Sequence, residues 1–324
     1  MSRFSVKNSL IAKAVYLLVP IGVIGLMGWL VIQNWEMIRS FPWQVHIPSL
    51  LLAALLHSLA LLVTYWVWHL MIKRLSGFND PWVNLRIYYV STLAKRIPSS
   101  IPYISGRLVL YRQLGVSSAV VLNSIILENL LLGIGGVFVL VVFWNFYTGE
   151  LPTYLAYLLG AVALALLVAM ALRFETVRKY GNKLLRRLNL AELDHSPTAR
   201  DFILWTELYI LPWLLAGGSL YFAIRGLTTS IPITIGDALA ISTLSTLVAL
   251  LNLILPVSFG LKEVSMTALL LPWMPASVAI LFSLSYRLLH TLDDIFWALV
   301  VLYISNLVKG SPVQAVPNRL AHEE

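Results

Sequence analysis

Cysteine is absent from this chain of 324 residues, which excludes disulfides, thiolate nucleophiles and zinc–thiolate centres and leaves no redox marker of compartment. Charge is almost as scarce. Asp, Glu, Lys and Arg make up 12% of the residues, against about one quarter in an ordinary soluble domain. So few charges cannot cover the surface of a folded soluble protein. The sequence also lacks a Gly-rich phosphate loop, a GxSxG element and an HExxH pair, so the common nucleotide, serine-hydrolase and zinc-protease chemistries have no anchor in it. No cofactor and no metal site are expected.

What fills the space is apolar. Hydrophobic residues make up 59% of the chain and the mean hydropathy is +0.82. Several windows exceed the roughly 18 uncharged residues that span about 30 Å of hydrocarbon. The sequence therefore reads as an all-α polytopic integral membrane protein. Six full spans are expected: Val15 to Gln33, Pro48 to Ile72, Ser117 to Phe146, Leu151 to Leu172, Phe202 to Ile224 and Ser277 to Val308.

The net charge of +8 does not point to nucleic acid, because the basic residues flank apolar runs and fit a positive-inside bias. Arg3, Lys7 and Lys13 precede the first span, and Lys73 and Arg74 stop the second. The segment 173–201 carries seven more, including Arg173, Arg178, Lys179 and Arg200. It reads as cytoplasmic, either as an amphipathic helix on the headgroups or as a solvated linker. With 19 of the 23 Lys and Arg on that side, both termini are expected in the cytoplasm and the protein in the cytoplasmic (inner) membrane. The tail 311–324 is polar and reads as disordered.

Two stretches resemble one another. Leu93 to Trp144 begins basic, breaks at Pro98 and Pro102, passes Gly106 and Arg107, turns at Gly115 and becomes a long apolar helix around Glu128. Leu253 to Val308 repeats the plan at an offset of about 158 residues, with Pro256, Gly260-Leu261-Lys262-Glu263, a turn near Pro275 and Arg287 opposite Glu128. Repeat 1 covers about 47–146 and repeat 2 about 202–308. Trp82 to Ile97 carries Arg86, Lys95 and Arg96, too many cations for a lipid-facing span. It therefore reads as the first arm of a re-entrant helical hairpin from the cytoplasm, with a turn at Pro98, Pro102 and Gly106 and a return from Ile104 to Gln113. Asp237 to Leu255, Pro256, Gly260 and Leu261 to Leu271 form the second hairpin, entering from outside. Whether Asp237 to Leu255 crosses fully instead is left open. The result is an inverted repeat, a plan common among secondary transporters.

The charges inside the membrane mark the site, because each is costly unless paired. Glu128 and Arg287 occupy equivalent places on two long helices and are expected to pair with each other, with Glu128 as a candidate proton carrier. Arg287, His290, Thr291 and Asp294 share one helix face. Asn123 lies just before Glu128 on its helix. Arg107, Lys262 and Glu263 stand at the mouths of the hairpins, where the cations could hold a phosphate or simply snorkel to the interface. His57 and His69 read as inward-facing, hydrogen-bonded residues, since no carboxylate lies at helical spacing from either.

Taken together, the proline turn, the following Arg107, the Gly115-Val116-Ser117 turn and the central Glu128 resemble the membrane domain of the lysylphosphatidylglycerol synthetase/flippase family. Pro256, Ser258-Phe259-Gly260, Leu261-Lys262-Glu263 and Tyr286-Arg287 are similar to that family's second element, with Lys262 where the family carries arginine. The match spans about residues 10 to 310. The resemblance implies that 1–310 is a flippase-like transmembrane domain that moves a polar lipid between leaflets. No aminoacyl-transferase domain follows Gly310, so lysyl transfer is not expected of this chain.

The expected function is thus that of a transporter rather than an enzyme. It carries an anionic or zwitterionic phospho- or glycolipid headgroup by alternating access. Homo-oligomerisation and a partner synthase are left open. Two other readings compete: an intramembrane lipid transferase, with Asp293-Asp294 as a Mg²⁺ chelate, and a non-catalytic partner of a lipid or glycan synthase.

Overall fold

The computed structural model describes residues 31–94, 101–144, 147, 197–250 and 260–308, together with positions 25, 28, 29 and nine positions between 154 and 168. The expected turn prolines Pro98 and Pro256, most of the first and fourth expected spans, most of the basic segment 173–201 and the tail 311–324 lie outside the described residues. Those described are all-helical. In chain order the helices are α1 (Trp35–Ser40), α2 (Ile47–Ser76), α3 (Pro81–Ala94), α4 (Ile101–Arg112), α5 (Ser118–Phe143), α6 (Ala199–Leu227), α7 (Ile235–Leu250), α8 (Leu261–Leu270) and α9 (Ala276–Val308).

Helices α2, α5, α6 and α9 are long and apolar enough to cross a membrane, α2 reaching about 45 Å at 1.5 Å per residue. By contrast α3, α4 and α8, with 14, 12 and 10 residues, reach only about 15–21 Å. That is short of the roughly 30 Å hydrocarbon layer.

Local chemistry sets the helix ends. Gly77, Gly115 and Gly260 take positive φ, the left-handed region that only glycine enters cheaply. They close α2, follow α4 and open α8. Ser117 caps α5 by accepting from Val120 N, and Thr198 with Asp201 forms a capping box on α6. Two expectations about the first turn are corrected here. The returning helix begins at Ile101 rather than Ile104, and Gly106 lies in the middle of α4 rather than in a turn. Proline is tolerated in the first turn of a helix because its missing N–H has no intrahelical partner there. Pro102 therefore fits the first turn of the helix, and Gly106 is simply carried along on it.

Helices α2 and α6 run antiparallel along their whole length. At one end Arg74 pairs with Asp201 at 3.1 Å; at the other, His46 N donates to Gly226 O at 2.9 Å. Close approach depends on small residues, as is usual between helices in lipid. A Cβ on Gly226 would meet Leu50 at 2.5 Å, and one on Gly217 would meet Leu239 of α7 at 2.3 Å.

Packing follows a two-fold pattern. Helix α3 packs on α4 as α7 packs on α8, α4 on α5 as α8 on α9, α3 on α9 as α7 on α5, and α2 on α5 as α6 on α9. One core gathers Trp68, Tyr88, Tyr103, Tyr111 and Val121 from α2 to α5. A second gathers Leu220, Ile241, Met266 and Phe282 from α6 to α9. Leu51, Leu55, Leu59 and Leu62 on α2, and Leu288, Leu292 and Leu299 on α9, remain exposed. They form the apolar stripes that lipid would cover.

Candidate functional site

Two Arg–Glu pairs lie inside the bundle, one beside each core. On α4, Tyr103, Arg107 and Tyr111 recur every four residues and so share a face. That face meets α5, where Arg107 Nη1 donates to Glu128 Oε2 at 2.7 Å. Arg107 Nε donates to Ser91 Oγ of α3 at 2.9 Å. Tyr103 OH donates to the same Glu128 oxygen at 2.8 Å and Tyr88 OH to the other at 3.2 Å. The guanidinium carbon lies 4.0 Å from the Trp68 ring centroid, 4.6 Å from Tyr88 and 4.5 Å from Tyr103, so three aromatic faces replace the water the cation has lost. A relay of hydrogen bonds braces this box. Trp68 donates to Tyr111, Tyr111 to Asn84, and Asn84 to His69 Nδ1, all at 2.6 to 2.7 Å.

In the second core the pair recurs with its charges exchanged. The carboxylate, Glu263, is on the short helix α8, and the cation, Arg287, is on the long helix α9; Arg287 Nη1 donates to Glu263 Oε1. The expected Glu128–Arg287 pair is therefore corrected. Helices α5 and α9 pack against α4 and α8, so each long-helix charge meets its counter-charge inside its own half. Glu128, with its oxygens taken by three donors, is also badly placed to carry a proton.

The two pairs differ in access. Side-chain exposure is 0% and 2% for Arg107 and Glu128, but 22% and 5% for Arg287 and Glu263. The second pair lines a half-open cleft with Lys262, Ser283, Tyr286 and His290. Glu263 Oε2 is buried without a hydrogen-bond partner, and Lys262 Nζ stands 6.0 Å over the Tyr286 ring. The void is about 30 Å³, room for about two waters and far less than a phospholipid headgroup needs.

The face shared by Arg287, His290 and Asp294 carries on from the cleft to α2. His57 Nε2 lies 3.1 Å from Asp294 Oδ1, and the His57 ring stacks on His290 at 3.7 Å. Ser58 Oγ lies 3.0 Å from both oxygens of Asp293 and accepts from Trp297 Nε1 at 2.7 Å. Thr291 bonds back to its own helix at Arg287 O, as Asn123 does through Ala119 O. Among the described residues no three His, Asp or Glu side chains are grouped to hold a metal ion.

The structure thus brings together Arg107 with Glu128, and Lys262, Glu263, Arg287 and His290 around the cleft. Asp294 stands one shell behind, and Asn123 is spent on its own helix. The aromatic box of Trp68, Tyr88, Tyr103 and Tyr111 went unread in the sequence, although the four-residue spacing of Tyr103, Arg107 and Tyr111 carried a signal of it. The Asp294 partner of His57 carried none, because it comes from a helix more than 200 positions away.

Residues 11–297 match the family model described as the lysylphosphatidylglycerol synthase TM region. No curated protein matches the chain.

Proposed function

Because this chain belongs to the family of the lysylphosphatidylglycerol synthase TM region, we propose that it moves a polar lipid headgroup across the membrane, taking it at the Lys262–Glu263–Arg287 cleft. The observation that carries this reading is the contrast between the two Arg–Glu pairs. A pair that only pins two helices is best enclosed, as Arg107–Glu128 is. Arg287–Glu263 is instead left partly open and lies beside a lysine. Two cations could hold a phosphate by charge-assisted hydrogen bonds, and the second Glu263 oxygen, buried without a partner, could accept from a hydroxyl or an ammonium once the cleft opens. An anionic or zwitterionic headgroup meets both requirements.

Alternating access supplies the movement. Helices α2 and α6 hold equivalent places in the contact pattern and run antiparallel, as two repeats of opposite topology would. In that arrangement α3–α4 and α7–α8 are re-entrant hairpins entering from opposite faces, and six spans complete the fold. The void, too small for a headgroup, then belongs to a closed state, and exchange of conformations between the halves opens it. A transferase built on Asp293 and Asp294 is less well supported. The two carboxylates turn to different partners, Ser58 and His57, rather than to one chelated ion.

The test uses purified protein in liposomes containing fluorescent anionic and zwitterionic phospholipids, with a membrane-impermeant reductant added outside. Without transport only the outer leaflet, about one half, is quenched. Transport raises that fraction well above one half. Wild-type protein that matches empty vesicles for every headgroup, with and without a pH gradient, would exclude the reading.

A further inference from the structure

The two Arg–Glu pairs differ in how their carboxylates are satisfied. At Glu128 both oxygens are taken, since Arg107 and Tyr103 donate to one and Tyr88 donates to the other. Glu263 receives Arg287 on Oε1, while Oε2 is buried and has no donor. The whole residue is enclosed, so bulk water does not make up the loss. A buried acceptor without its hydrogen bond is costly, and more so on a charged group. The orphan of the first pair, Arg107 Nη2, at least belongs to a guanidinium held between aromatic faces. Glu263 Oε2 has no such compensation.

The hydroxyls that line the cleft are committed elsewhere. Tyr286 OH donates to Ala216 O at 3.2 Å, and Ser283 Oγ donates to Ala279 O at 2.8 Å. Neither has a second hydrogen to give to Glu263. Among the described residues lining the cleft, Glu263 is also the only carboxylate, beside the cations Lys262 and Arg287. A ligand entering there meets positive charge on two sides and a single strong acceptor between them.

We propose that Glu263 Oε2 selects the headgroup: the cleft takes a phosphodiester that carries an N–H or O–H donor beside the phosphate and refuses one that ends in a quaternary ammonium. Selection by Glu263 rests on the reading of the cleft as a headgroup site. The phosphate goes to Lys262 and Arg287, and the donor reaches Oε2, filling the place that Tyr88 fills at Glu128. A primary ammonium and a glycerol hydroxyl both meet that demand. A trimethylammonium carries the same charge as an ammonium but has no hydrogen to donate, so it leaves Oε2 unpaired. Sites built around such a bond discriminate strongly against the analogue that lacks it, because their own buried group then stays unpaired.

Stepwise methylation separates donor count from size. Ethanolamine, N-methylethanolamine, N,N-dimethylethanolamine and choline headgroups carry three, two, one and no N–H hydrogens at the same charge, while their bulk grows evenly. The liposome assay is run with acyl-labelled fluorescent lipids of this series, and with a glycerol headgroup as the hydroxyl arm. Transport should persist as far as the dimethyl headgroup and fall by about tenfold or more at choline, as expected when a buried acceptor loses its donor. The glycerol headgroup should move with the donor-bearing amines. A fall spread evenly over the methylations reports size alone and overturns the selection. Transport of choline at the ethanolamine rate overturns it too, and leaves the transport reading intact.

Glu263→Gln assigns the step to its residue. The amide turns its oxygen to Arg287, so its N–H₂ stands where the acceptor was, and the ratio of dimethyl to choline transport should approach one. A step that survives in this variant overturns the role of Glu263. Should Glu263→Gln fail to fold, Glu263→Asp, which keeps the charge but draws the oxygen back by one methylene, should flatten the step as well. Binding without transport is read from thermal unfolding of the purified protein with the soluble glycerophospho derivatives of dimethylethanolamine and choline. Stabilisation by the first and not the second, in protein that moves no lipid, keeps the donor site and removes the transport reading. No stabilisation by either, with no transport, overturns both.

Discussion

Arg107 Nη1 lies 2.7 Å from Glu128 Oε2 with both side chains closed off from solvent, and the counterpart pair on α8 and α9 carries its charges in exchanged places. The exchange keeps the attraction while changing which helix bears which sign, so each Arg–Glu pair is held between neighbouring helices, α4 with α5 and α8 with α9. Separating either pair would leave a buried ion without its partner, at a cost of several kcal/mol in hydrocarbon.

That arrangement predicts which second-site change rescues which first. Glu128→Gln leaves Arg107 as an uncompensated buried cation and should cost about 3–5 kcal/mol. Arg107→Met removes that cation and suits the aromatic box, since a thioether packs well on rings. The double variant should recover most of the loss in thermal unfolding of the purified protein. Arg287→Met in the same background should recover none. Equal rescue by both changes would mean that the charges pair across the halves after all.

The sequence showed more of the fold than of the site. Long apolar runs announced α2, α5, α6 and α9, because membrane-spanning length and hydropathy are local properties. The resemblance between Leu93–Trp144 and Leu253–Val308 placed charges at equivalent positions but could not say who meets whom. Glu128 and Arg287 looked like partners because their signs are opposite. Short helices α4 and α8, each with its own opposite charge, turned out to supply the partners. Gly106 misled in another way: glycine beside prolines reads as a turn, yet Pro102 fits the first turn of a helix that simply runs through it.

The glycines therefore separate by substitution. Gly106 is helical, and a Cβ there meets nothing within 4 Å, so Gly106→Ala should be neutral or stabilise by up to about 1 kcal/mol through helix propensity. At Gly217 a Cβ would sit 2.3 Å from a Leu239 methyl and 2.8 Å from its backbone Cα. Gly217→Ala should force α6 and α7 apart and cost about 1–3 kcal/mol. Thermal unfolding of the two variants side by side decides this. A destabilised Gly106→Ala would return that residue to a turn.

Topology can be read with single cysteines, since the chain has none of its own. Gln113, after α4, and Pro272, after α8, hold equivalent places in the two halves and are both exposed. If the repeats are inverted, a membrane-impermeant thiol reagent should label Gln113→Cys from the cytoplasmic side and Pro272→Cys from the outer side. Labelling of both from one face would remove the inverted repeat, and with it the mechanism of alternating access.

The cleft pair gives the sharpest separation between pinning and binding. Glu263→Gln or Arg287→Ala removes one partner of a pair that is not fully enclosed, with an expected loss of about 1–3 kcal/mol in stability. Either change should lower headgroup transport by about tenfold or more, each tenfold step being about 1.4 kcal/mol of lost interaction. Stability alone cannot explain such a loss in protein that is still folded. The exchanged variant, Glu263→Arg with Arg287→Glu, restores the attraction but turns the open position from a cation to an anion. It should fold close to wild type and remain inactive towards an anionic headgroup. If exchange restores transport together with stability, the pair only pins α8 to α9, and Lys262 and His290 are left as the cleft groups to test next.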